Sequence, residues 1–393
     1  MSTTSPILAT PELRAQFPSL RDGRIYLDGP GGTQVHQSVY DAVARYWRDR
    51  NANLGGPFET SLLSDATLQS ARDTVAGFLG ADTGNEIAFG ANMTTLTFHA
   101  SRTLLRDCGP GDEVLVTGLD HDANVSPWML AAADRGMTVR VADIDTEACL
   151  VDLDDFAAKL SDRTKVAAFG WASNGAGTVN DVRRMSELTR QAGALSYIDA
   201  VHFAPHGEID VGAVGCDFLV CSAYKFFGPH VGILFGRREL LERYRPYKVR
   251  PASDDVPGSW ETGTVNLEGI AGTAAAVAYL ESVGMGNVTA YEHTLAERLI
   301  GGLDAIDGVS AYGTRDLSRR VPTATFNVAG HAPAEVAAAL GDQGIYVWDG
   351  NYYALELMQR LGLEDSGGAV RVGAAHYTTP EEIDRFLEAV ASL

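Results

Sequence analysis

Short apolar runs alternate with longer helical patterns from about residue 25 to residue 236. Apolar runs without strict alternation, separated by helical stretches, are typical of strands in a parallel sheet that is buried on both faces. The pattern therefore predicts an α/β fold whose large domain contains a mainly parallel seven-stranded sheet. The seven strand candidates are EIAFG, DEVLVTG, MTVRVADI, KVAAFGWAS, ALSYIDAV, CDFLVCS and VGILFG.

The rhythm changes after the turn-rich segment RPYKVRPASDDVPGSWETGTVN. Two helical stretches follow, and then short strands alternate with helices to the last residue. A chain of 393 residues exceeds one typical core, so a second, smaller α/β domain is predicted. The expected division is an N-terminal segment over 1–24 that packs on the small domain, a large domain over 25–272 and a small C-terminal α/β domain over 273–393.

The protein is strongly acidic, with a formal net charge of −20 and a pI near 4.8. Nucleic acids and anionic membranes bind basic surfaces, so neither is an expected partner. No run reaches 18 uninterrupted apolar residues, and the start MSTTSPILATPELRAQFPSL lacks the charged beginning and long apolar core of a signal peptide. A cytoplasmic location is therefore expected.

The cysteines and histidines show no metal-binding pattern. None of the four cysteines belongs to a CxxC pair, and all are expected to be reduced core residues. His202 and His206 have the spacing of two ligands on a helix, but Pro205 lies between them and no third ligand is near in sequence. We therefore expect no metal ion.

One lysine has an unusual position. The chain has only four lysines among 31 basic residues, and Lys225 lies between the apolar runs FLVCS and VGILFG. A lysine on a loop between two buried strands indicates a task that arginine cannot perform. Only lysine has an amine that condenses with an aldehyde, because a guanidinium stays protonated and is a poor nucleophile.

Polar side chains follow four other predicted strands. In parallel sheets, ligands bind beyond the carboxyl ends of the strands, where loops expose backbone N–H groups. A carboxylate, an imidazole, an amide, hydroxyls and one lysine at such an edge match the needs of pyridoxal 5′-phosphate (PLP), which requires a Schiff-base lysine and an acidic partner for its ring nitrogen. The residues are Thr94 and Thr95 beside Met93, His121, Asn174, Asp199 and His202.

The order of these motifs also resembles a known family. TT, HxAN, SNxxG, DxxH, SxxK and a later GTxN occur in the register of the class V aminotransferase and cysteine desulfurase-like family of fold-type I PLP enzymes. The resemblance extends from IYLDGPGGTQ near residue 25 to AVRVGAAHYTTPEEIDRFLEAV at the end. Each motif alone is weak, but six in register are specific.

The resemblance implies catalytic roles for four residues. Lys225 would form the Schiff base and then shuttle the Cα proton, Asp199 would pair with the pyridine nitrogen, and His121 would stack on the ring. His202 stands where the desulfurases usually have glutamine. The implied cofactor-binding residues are Met93, Thr94, Thr95, His121, Asn174, Asp199, His202, Ser222, Lys225 and Thr264. Thr264 is expected to reach the phosphate of a partner subunit, which implies a homodimer.

The resemblance also implies a substrate site. Arg371 matches the arginine that binds the substrate carboxylate, and Gly31 and Gly32 match a segment that passes close to the substrate. Asn174 is expected near the substrate end of the cofactor. The aromatic residues Tyr352, Tyr353, Trp348 and Trp128 predict an aromatic, semi-polar pocket for a small amino acid.

One departure from the family pattern bears on the reaction. Desulfurases carry a mobile cysteine that takes sulfur as a persulfide, but the matching stretch here, GIYVWDGNYYALELM, has Tyr352 or Tyr353 near that place. The last cysteine, Cys221, comes well before it. A tyrosine hydroxyl is a poor sulfur acceptor. The chain therefore resembles a branch that lacks the persulfide cysteine.

Several reactions remain open after deprotonation at Cα. The favoured hypothesis is C–S bond cleavage by β-elimination from cysteine or a cysteine derivative, because a sulfur leaving group then needs no covalent acceptor. Transamination, racemisation or epimerisation, β-decarboxylation and desulfination are alternatives. A catalytically silent accessory protein that binds PLP is an alternative of another class, although it would have no use for the complete set of polar residues.

Overall fold

A computed structural model gives the structure of residues 8–393, with the side chains of residues 21 and 22 left aside. Fifteen strands are formed by the described residues. They are β1 Ile25–Tyr26, β2 Ile87–Gly90, β3 Glu113–Thr117, β4 Thr138–Ala142, β5 Ile144–Asp145, β6 Leu150–Val151, β7 Thr164–Gly170, β8 Leu195–Asp199, β9 Phe218–Ser222, β10 Gly232–Gly236, β11 Val309–Tyr312, β12 Thr323–Val328, β13 Ile345–Tyr346, β14 Trp348–Gly350 and β15 Ala369–Gly373.

The α-helices in the same part of the chain number fourteen. They are α1 Pro11–Arg14, α2 Gln37–Asp49, α3 Glu59–Leu79, α4 Met93–Leu104, α5 Ser126–Asp134, α6 Leu153–Lys159, α7 Val182–Gln191, α8 Val211–Val214, α9 Arg238–Arg243, α10 Leu267–Val283, α11 Met285–Asp304, α12 Pro333–Asp342, α13 Leu355–Arg360 and α14 Pro380–Ala391.

The seven predicted strands form one sheet, in the order β2-β10-β9-β8-β7-β3-β4. All of them run parallel except β10, which is antiparallel to both neighbours. Strands β3, β8 and β9 are almost entirely buried, as expected for a sheet covered by helices on both faces. The prediction of a mainly parallel seven-stranded sheet is confirmed.

A second sheet contains four strands in the order β11-β12-β15-β14, all paired antiparallel. Strands β12 and β15 lie inside this sheet, and β11 and β14 form its edges. Helices α11 and α12 pack against this sheet and against α14, and Leu295, Leu340, Val370 and Phe386 lie in the shared core. The short strand β1 pairs in parallel with β13 and so ties the N-terminal part of the chain to this region.

Helix α10 joins the two regions. It packs along α2 and α3, and its apolar residues Ile270, Val277 and Leu280 belong to the core of the seven-stranded sheet. The expected boundary between residues 272 and 273 lies inside this helix. The division into domains stays a prediction, and the first seven residues of its N-terminal segment lie outside the described residues.

The parallel arrangement determines where polar residues gather. Because β2, β3, β7, β8 and β9 point the same way, their carboxyl ends meet at one edge of the sheet. The loops that leave this edge carry the residues of the candidate site. No helix within residues 8–393 is long and apolar enough to span a lipid bilayer.

Candidate active site

Lys225 ends the short turn that follows β9. Its side chain is only 9% exposed, and its Nζ donates a hydrogen bond to the carbonyl oxygen of Pro30. Burial, followed by the positive charge of Arg371, lowers the pKa of the Lys225 amine to about 7. A large share of this amine is therefore neutral near neutral pH, and a neutral amine is a nucleophile and a base.

Asp199 is the last residue of β8, the strand next to β9. One carboxylate oxygen, Oδ1, accepts a hydrogen bond of 2.8 Å from the backbone N–H of Val201. Burial raises the pKa of the Asp199 carboxyl to about 6, while the charge of Lys225 acts in the opposite direction. Within residues 8–393, the other carboxylate oxygen has no hydrogen-bonding partner.

His121 follows β3 and is held by its own loop. Its Nδ1 accepts a hydrogen bond of 3.0 Å from the backbone N–H of Ala123, which leaves Nε2 as the protonated nitrogen of the neutral ring. The ring stacks on Tyr353, with centroids 5.4 Å apart and planes 23° apart. Burial, then the charges of Lys225 and Arg371, lower the pKa of His121 to about 4, so the ring is neutral at physiological pH.

Asn174 and Arg371 connect the two sheets. Arg371, on β15, donates from Nη1 to the carbonyl oxygen of Asn174 over 2.9 Å. The amide nitrogen of Asn174 donates to the carbonyl oxygen of Tyr352 over 2.8 Å. The buried atoms Asn174 Oδ1 and Arg371 Nε have no hydrogen-bond partner among the described residues. Both side chains therefore retain polar atoms that a bound ligand can use.

Helix α4 begins at the same edge of the sheet. The backbone N–H of Met93 donates to Ser222 Oγ over 3.0 Å, which fixes the helix start against β9. The side chain of Asn92 caps the helix by accepting from the backbone N–H of Thr95. The backbone N–H of Thr94 makes no hydrogen bond within the described part of the chain. A free N–H at a helix N-terminus is a suitable partner for a phosphate.

These residues surround a common cavity. A second cavity of about 610 Å³ lies beside it and reaches the protein surface. Four residues line both cavities, namely His121, Asn174, Tyr224 and Lys225. The first cavity also contains Met93, Thr94, Asp120, Asp199 and His202, and the second also contains Gly31, Trp348, Asp349, Tyr352, Tyr353 and Arg371.

His202 lines the first cavity and packs against buried polar groups on its other side. Its Nε2 lies 3.1 Å from Thr323 Oγ1, on a strand of the second sheet. Its ring meets the ring of His206 edge to face at 5.5 Å, and His206 Nδ1 lies 2.7 Å from a carboxylate oxygen of Glu292. Burial, then the proximity of His206, lower the pKa of His202 well below its usual value, so His202 is neutral.

Some predicted site residues are not brought into the first cavity. Thr95 is exposed and its hydroxyl donates to Asn92 Oδ1 over 3.0 Å, because this side chain takes part in the helix cap. Thr264 lines a separate cavity, together with Thr95. Gly32 packs against the ring of Tyr224 instead. Ser222 is buried beneath the helix start, where its hydroxyl oxygen accepts from Met93.

The prediction for Trp128 is wrong. Its side chain is 0% exposed and lies in the apolar core, where its ring meets Tyr197 edge to face at 4.9 Å. Its indole N–H donates to Asn124 Oδ1 over 3.2 Å. Trp128 therefore packs behind the site and does not line it. Trp348, Tyr352 and Tyr353 do line the second cavity.

Sequence reasoning missed three residues at the site. Asp120 is buried and accepts hydrogen bonds from Thr117, Asn124 and the backbone of Gly170, and burial raises its pKa to about 7. Tyr224 lines both cavities, and Lys225 Nζ lies 5.0 Å from its ring centroid. Burial raises the pKa of Asp28 to about 6, against the charges of Arg371 and Lys225. Asp120 directly precedes His121, and Tyr224 directly precedes Lys225. Their position next to predicted site residues could have identified both from the sequence.

The cysteine thiols lie apart from both cavities, among the described residues. Cys149, Cys216 and Cys221 are buried, and burial raises the pKa of each thiol, to about 11 for Cys149. Cys108 is partly buried, and its pKa is also raised. A raised thiol pKa leaves little thiolate, which is the nucleophilic form. Within residues 8–393, no group of three or more potential ligands could hold a metal ion.

The chain was compared with protein-family models. Residues 25–386 match the model of the family described as aminotransferase class V. The chain belongs to the class V aminotransferase family. Members of this family use PLP as their cofactor, so this class V protein is a PLP-dependent enzyme with a fold of type I. The resemblance inferred from the motifs is confirmed.

Several relatives of this class V chain are named as cysteine desulfurases. A probable cysteine desulfurase of Mycolicibacterium paratuberculosis is 35% identical over 96% of this chain and 57% of its own length. A cysteine desulfurase of Synechococcus elongatus is 31% identical over 96% of this chain and 63% of its own length. The chain thus spans about three fifths of both relatives. A probable cysteine desulfurase of Pseudomonas aeruginosa is 32% identical, and 96% of each chain is covered.

Solved structures of cysteine desulfurases have the same fold as this class V chain. The cysteine desulfurase of Thermococcus onnurineus NA1 superimposes with a TM-score of 0.93 and 28% identity, covering 99% of each chain. The cysteine desulfurase CsdA of Escherichia coli superimposes with a TM-score of 0.88 and 26% identity, covering 96% of each chain.

The residues of the first cavity fit PLP. It contains a buried lysine with a lowered pKa, a carboxylate at a strand end with one unpaired oxygen, and a helix start with a free N–H. The unpartnered amide oxygen of Asn174 adds an acceptor, and the neutral ring of His121 adds a flat face. Each feature corresponds to a different part of the cofactor.

Proposed function

We propose that this protein is a PLP-dependent C–S lyase that cleaves cysteine or a cysteine derivative by β-elimination, without forming a persulfide on the protein. Support for cysteine chemistry comes from the relatives, which are named cysteine desulfurases. The claim that no persulfide forms on the protein is supported by the position of the cysteine thiols. All four have raised pKa values and lie outside both cavities, within the described residues.

The covalent role belongs to Lys225. When bound next to Lys225, PLP would supply an electron-withdrawing covalent link to the amino group of the substrate, and this would make the Cα proton acidic. Lys225 Nζ, freed from the cofactor, would accept this proton as a general base. A pKa near 7 supports this role, because the amine is partly neutral where the protein works.

Asp199 and His121 would hold the cofactor ring. The carboxylate of Asp199, buried at the strand end, would keep a proton on the ring nitrogen through an ion pair. His121 would stack on the ring as a neutral imidazole, supported by its low pKa. His202, also neutral, would lie near the ring hydroxyl, and its contact with Thr323 would fix its orientation. The phosphate would be held by Thr94 and by the N–H groups at the start of α4, which Ser222 fixes against β9 through Met93.

Arg371 and Asn174 would orient the substrate. The guanidinium of Arg371 keeps its Nε free of partners in the described structure and would bind the substrate carboxylate. Asn174, hydrogen-bonded to the backbone of Tyr352, would hold the same end of the substrate. Gly31 lines the second cavity, and Gly32 lies next to it. The absence of side chains there makes room for the rings of Trp348 and Tyr224, which line the cavity.

The reaction balances without an additional reagent. The Cα proton passes to Lys225 Nζ, the Cβ–S bond breaks, and the sulfur leaves with the electron pair and takes a proton. The remaining three-carbon enamine takes up water and gives pyruvate and ammonium. The thiol or sulfide needs no acceptor on the protein, which agrees with the burial of the cysteines.

Three wider expectations remain part of the proposal. The protein would act as a homodimer, in which Thr264 of one subunit reaches the phosphate bound by the other, and the position of Thr264 in a separate cavity of its own chain supports this. The chain would divide into a large domain and a smaller C-terminal domain. The protein would work in the cytoplasm on a small amino acid, with neither nucleic acid nor membrane as a partner.

The products test the proposal. Purified protein with PLP is incubated with cysteine and with S-substituted cysteines, and pyruvate, ammonium and thiol or sulfide are measured. Equal amounts of the three products are expected. A variant in which all four cysteines are replaced by alanine or serine should retain the activity. Formation of alanine from cysteine, with sulfur bound to the protein and lost in this variant, would contradict the proposal.

A further inference from the structure

The second cavity is much larger than a cysteine side chain requires. Its volume of about 610 Å³ lies within the range of about 300–1,000 Å³ that is typical of pockets for drug-sized ligands. It meets the first cavity at Lys225, His121, Asn174 and Tyr224. A substituent on the sulfur of a bound cysteine would extend in this direction, away from the buried strand ends.

Two large aromatic side chains line this cavity with much of their surface exposed. Trp348 is 51% exposed and Tyr353 is 70% exposed. Trp348 lies opposite Arg371 in the register of β14 and β15, so both side chains point to one face of the sheet. Its indole lies against Gly31, where a Cβ would collide with it. Exposed aromatic surface beside a site is typical of binding by stacking.

Tyr353 is held in place by a strained turn. Tyr352 and Tyr353 both adopt the left-handed region, with φ of 52° and 59°, which non-glycine residues rarely do. Hydrogen bonds to their carbonyl oxygens, from the amide of Asn174 at 2.8 Å and the backbone N–H of Asp122 at 2.7 Å, hold the turn against the loops of the site. Such conformations persist where the surroundings impose them, often at ligand sites.

The charges in the second cavity disfavour an anionic substituent. Its cationic residues, among those described, are Lys225 and Arg371. In the proposed reaction both are already used, for the Cα proton and for the substrate carboxylate. The remaining charged residue is Asp349, which is acidic. A second carboxylate on the substrate, as in cystine or S-carboxymethylcysteine, would therefore lack a partner and would face a like charge.

We propose that Trp348 and Tyr353 form a binding site for the sulfur substituent, and that the preferred substrates are S-conjugates of cysteine with a flat, apolar, uncharged group. This proposal rests on the proposed function and narrows its substrate class. Two aromatic side chains favour a planar group, and the absence of a spare cation from the described lining disfavours an acidic one.

The test compares three substrates that differ only in the sulfur substituent, namely S-benzylcysteine, S-methylcysteine and S-carboxymethylcysteine. We expect kcat/KM to be on the order of tenfold higher for the benzyl than for the methyl conjugate, and lowest for the carboxymethyl conjugate. The benzyl preference should fall several-fold in Trp348→Ala and in Tyr353→Ala. It should be largely kept in Trp348→Phe and Tyr353→Phe, which retain a ring.

A matched control is Trp47→Ala, which removes an equally exposed tryptophan from α2, outside both cavities. This variant should keep the preference unchanged. Melting temperatures separate a loss of folding from a loss of specificity. Equal kcat/KM values for the benzyl and carboxymethyl conjugates, or a preference unaffected by both alanine variants, would overturn the proposal.

A failure of the proposed function is distinguishable from a failure of this inference. If neither cysteine nor any conjugate is cleaved, the lyase proposal fails, and the inference is decided by binding alone. Titration calorimetry of the PLP-loaded protein would then measure the dissociation constants of S-benzylcysteine and S-carboxymethylcysteine. We expect S-benzylcysteine to bind more tightly than S-carboxymethylcysteine, and Trp348→Ala to weaken the binding of S-benzylcysteine. Similar dissociation constants for the two conjugates would exclude the aromatic site.

Discussion

The guanidinium carbon of Arg371 lies 4.4 Å from the ring centroid of Tyr352. The tyrosine hydroxyl is itself bound to the carbonyl oxygen of Ala369, so the ring is fixed beneath the guanidinium. Burial lowers the pKa of Arg371 to about 10, which still leaves it charged at neutral pH. The arginine therefore lines the cavity as a cation that is held by a cation–π contact with Tyr352 and by its hydrogen bond to Asn174.

Replacement of Arg371 by lysine should weaken substrate binding. An ammonium cannot make two parallel hydrogen bonds to a carboxylate and does not stack on Tyr352 as a flat guanidinium does. We expect KM to rise on the order of tenfold or more, with a smaller change in kcat. Steady-state kinetics measure both. In the control Arg298→Lys, which changes an exposed ion pair with Asp384, KM should not change. A KM within twofold of the wild-type value for Arg371→Lys would contradict the carboxylate role.

Lys225 should be the residue that links covalently to PLP. Reduction of the PLP-loaded protein with borohydride should attach the cofactor to the peptide that contains Lys225, as shown by mass spectrometry. Lys225→Ala should give no labelled peptide, although non-covalent PLP can still bind. The control Lys165→Ala, at a half-exposed lysine paired with Asp112, should be labelled at Lys225 as before. Label on another lysine in the wild-type protein would contradict the assignment.

The rate of PLP attachment to the cofactor-free protein should depend on pH near 7. The neutral amine is the reactive form, and burial lowers the pKa of Lys225 from 10.5 to about 7. Below pH 7 the amine is protonated, so the rate should fall about tenfold per pH unit, and above pH 7 it should level off. Stopped-flow absorbance follows the attachment. A rate that keeps rising to pH 10 would indicate an ordinary, solvated lysine.

The sequence was informative about the sheet and its edge because both follow from simple rules. Continuous apolar runs such as CDFLVCS mark buried strands, and the strand-end rule brings Lys225, Asp199 and His121 to one place. The antiparallel pairing of β11, β12, β14 and β15 was not predicted, since alternation of strands and helices does not specify pairing direction. The turn at Tyr352 and Tyr353 was also missed, because left-handed conformations are expected at glycine or asparagine and not at tyrosine.

The direction of side chains was the main feature of the site that the sequence did not predict. Trp128 follows His121 closely in sequence, yet the helix turns it into the core and brings it against Tyr197. Thr95 is directly next to Thr94, but one residue along a helix is a rotation of about 100°, so the two hydroxyls point to different surroundings. Asp120 is buried under the loops and accepts three hydrogen bonds, and only the fold brings its partners together.

The contact between the two sheets depends on Gly177. This residue has a φ of 73°, and a Cβ there would collide with the backbone carbonyl of Thr323. The carbonyl oxygen of Gly177 accepts a hydrogen bond of 2.9 Å from the backbone N–H of Val321, so these two segments of the backbone are held close together. Thr323 in turn contacts His202 in the first cavity. A shift of β12 would therefore move Thr323 and change its contact with His202 in the candidate site.

Replacement of Gly177 by alanine should destabilise the protein more than replacement of Gly330. Gly330 has a similar φ of 84° but open space around its Cβ position, so Gly330→Ala should cost only the left-handed strain of roughly 1–2 kcal/mol. Gly177→Ala adds a collision with rigid backbone, and we expect a further loss of about 1–3 kcal/mol. Urea unfolding of the PLP-loaded proteins measures both. Since Thr323 contacts His202, only Gly177→Ala should also change the absorption spectrum of bound PLP. Equal losses of stability in the two variants, with unchanged spectra, would contradict this prediction. They would show that the backbone at Thr323 moves to accept the added methyl group without affecting the candidate site.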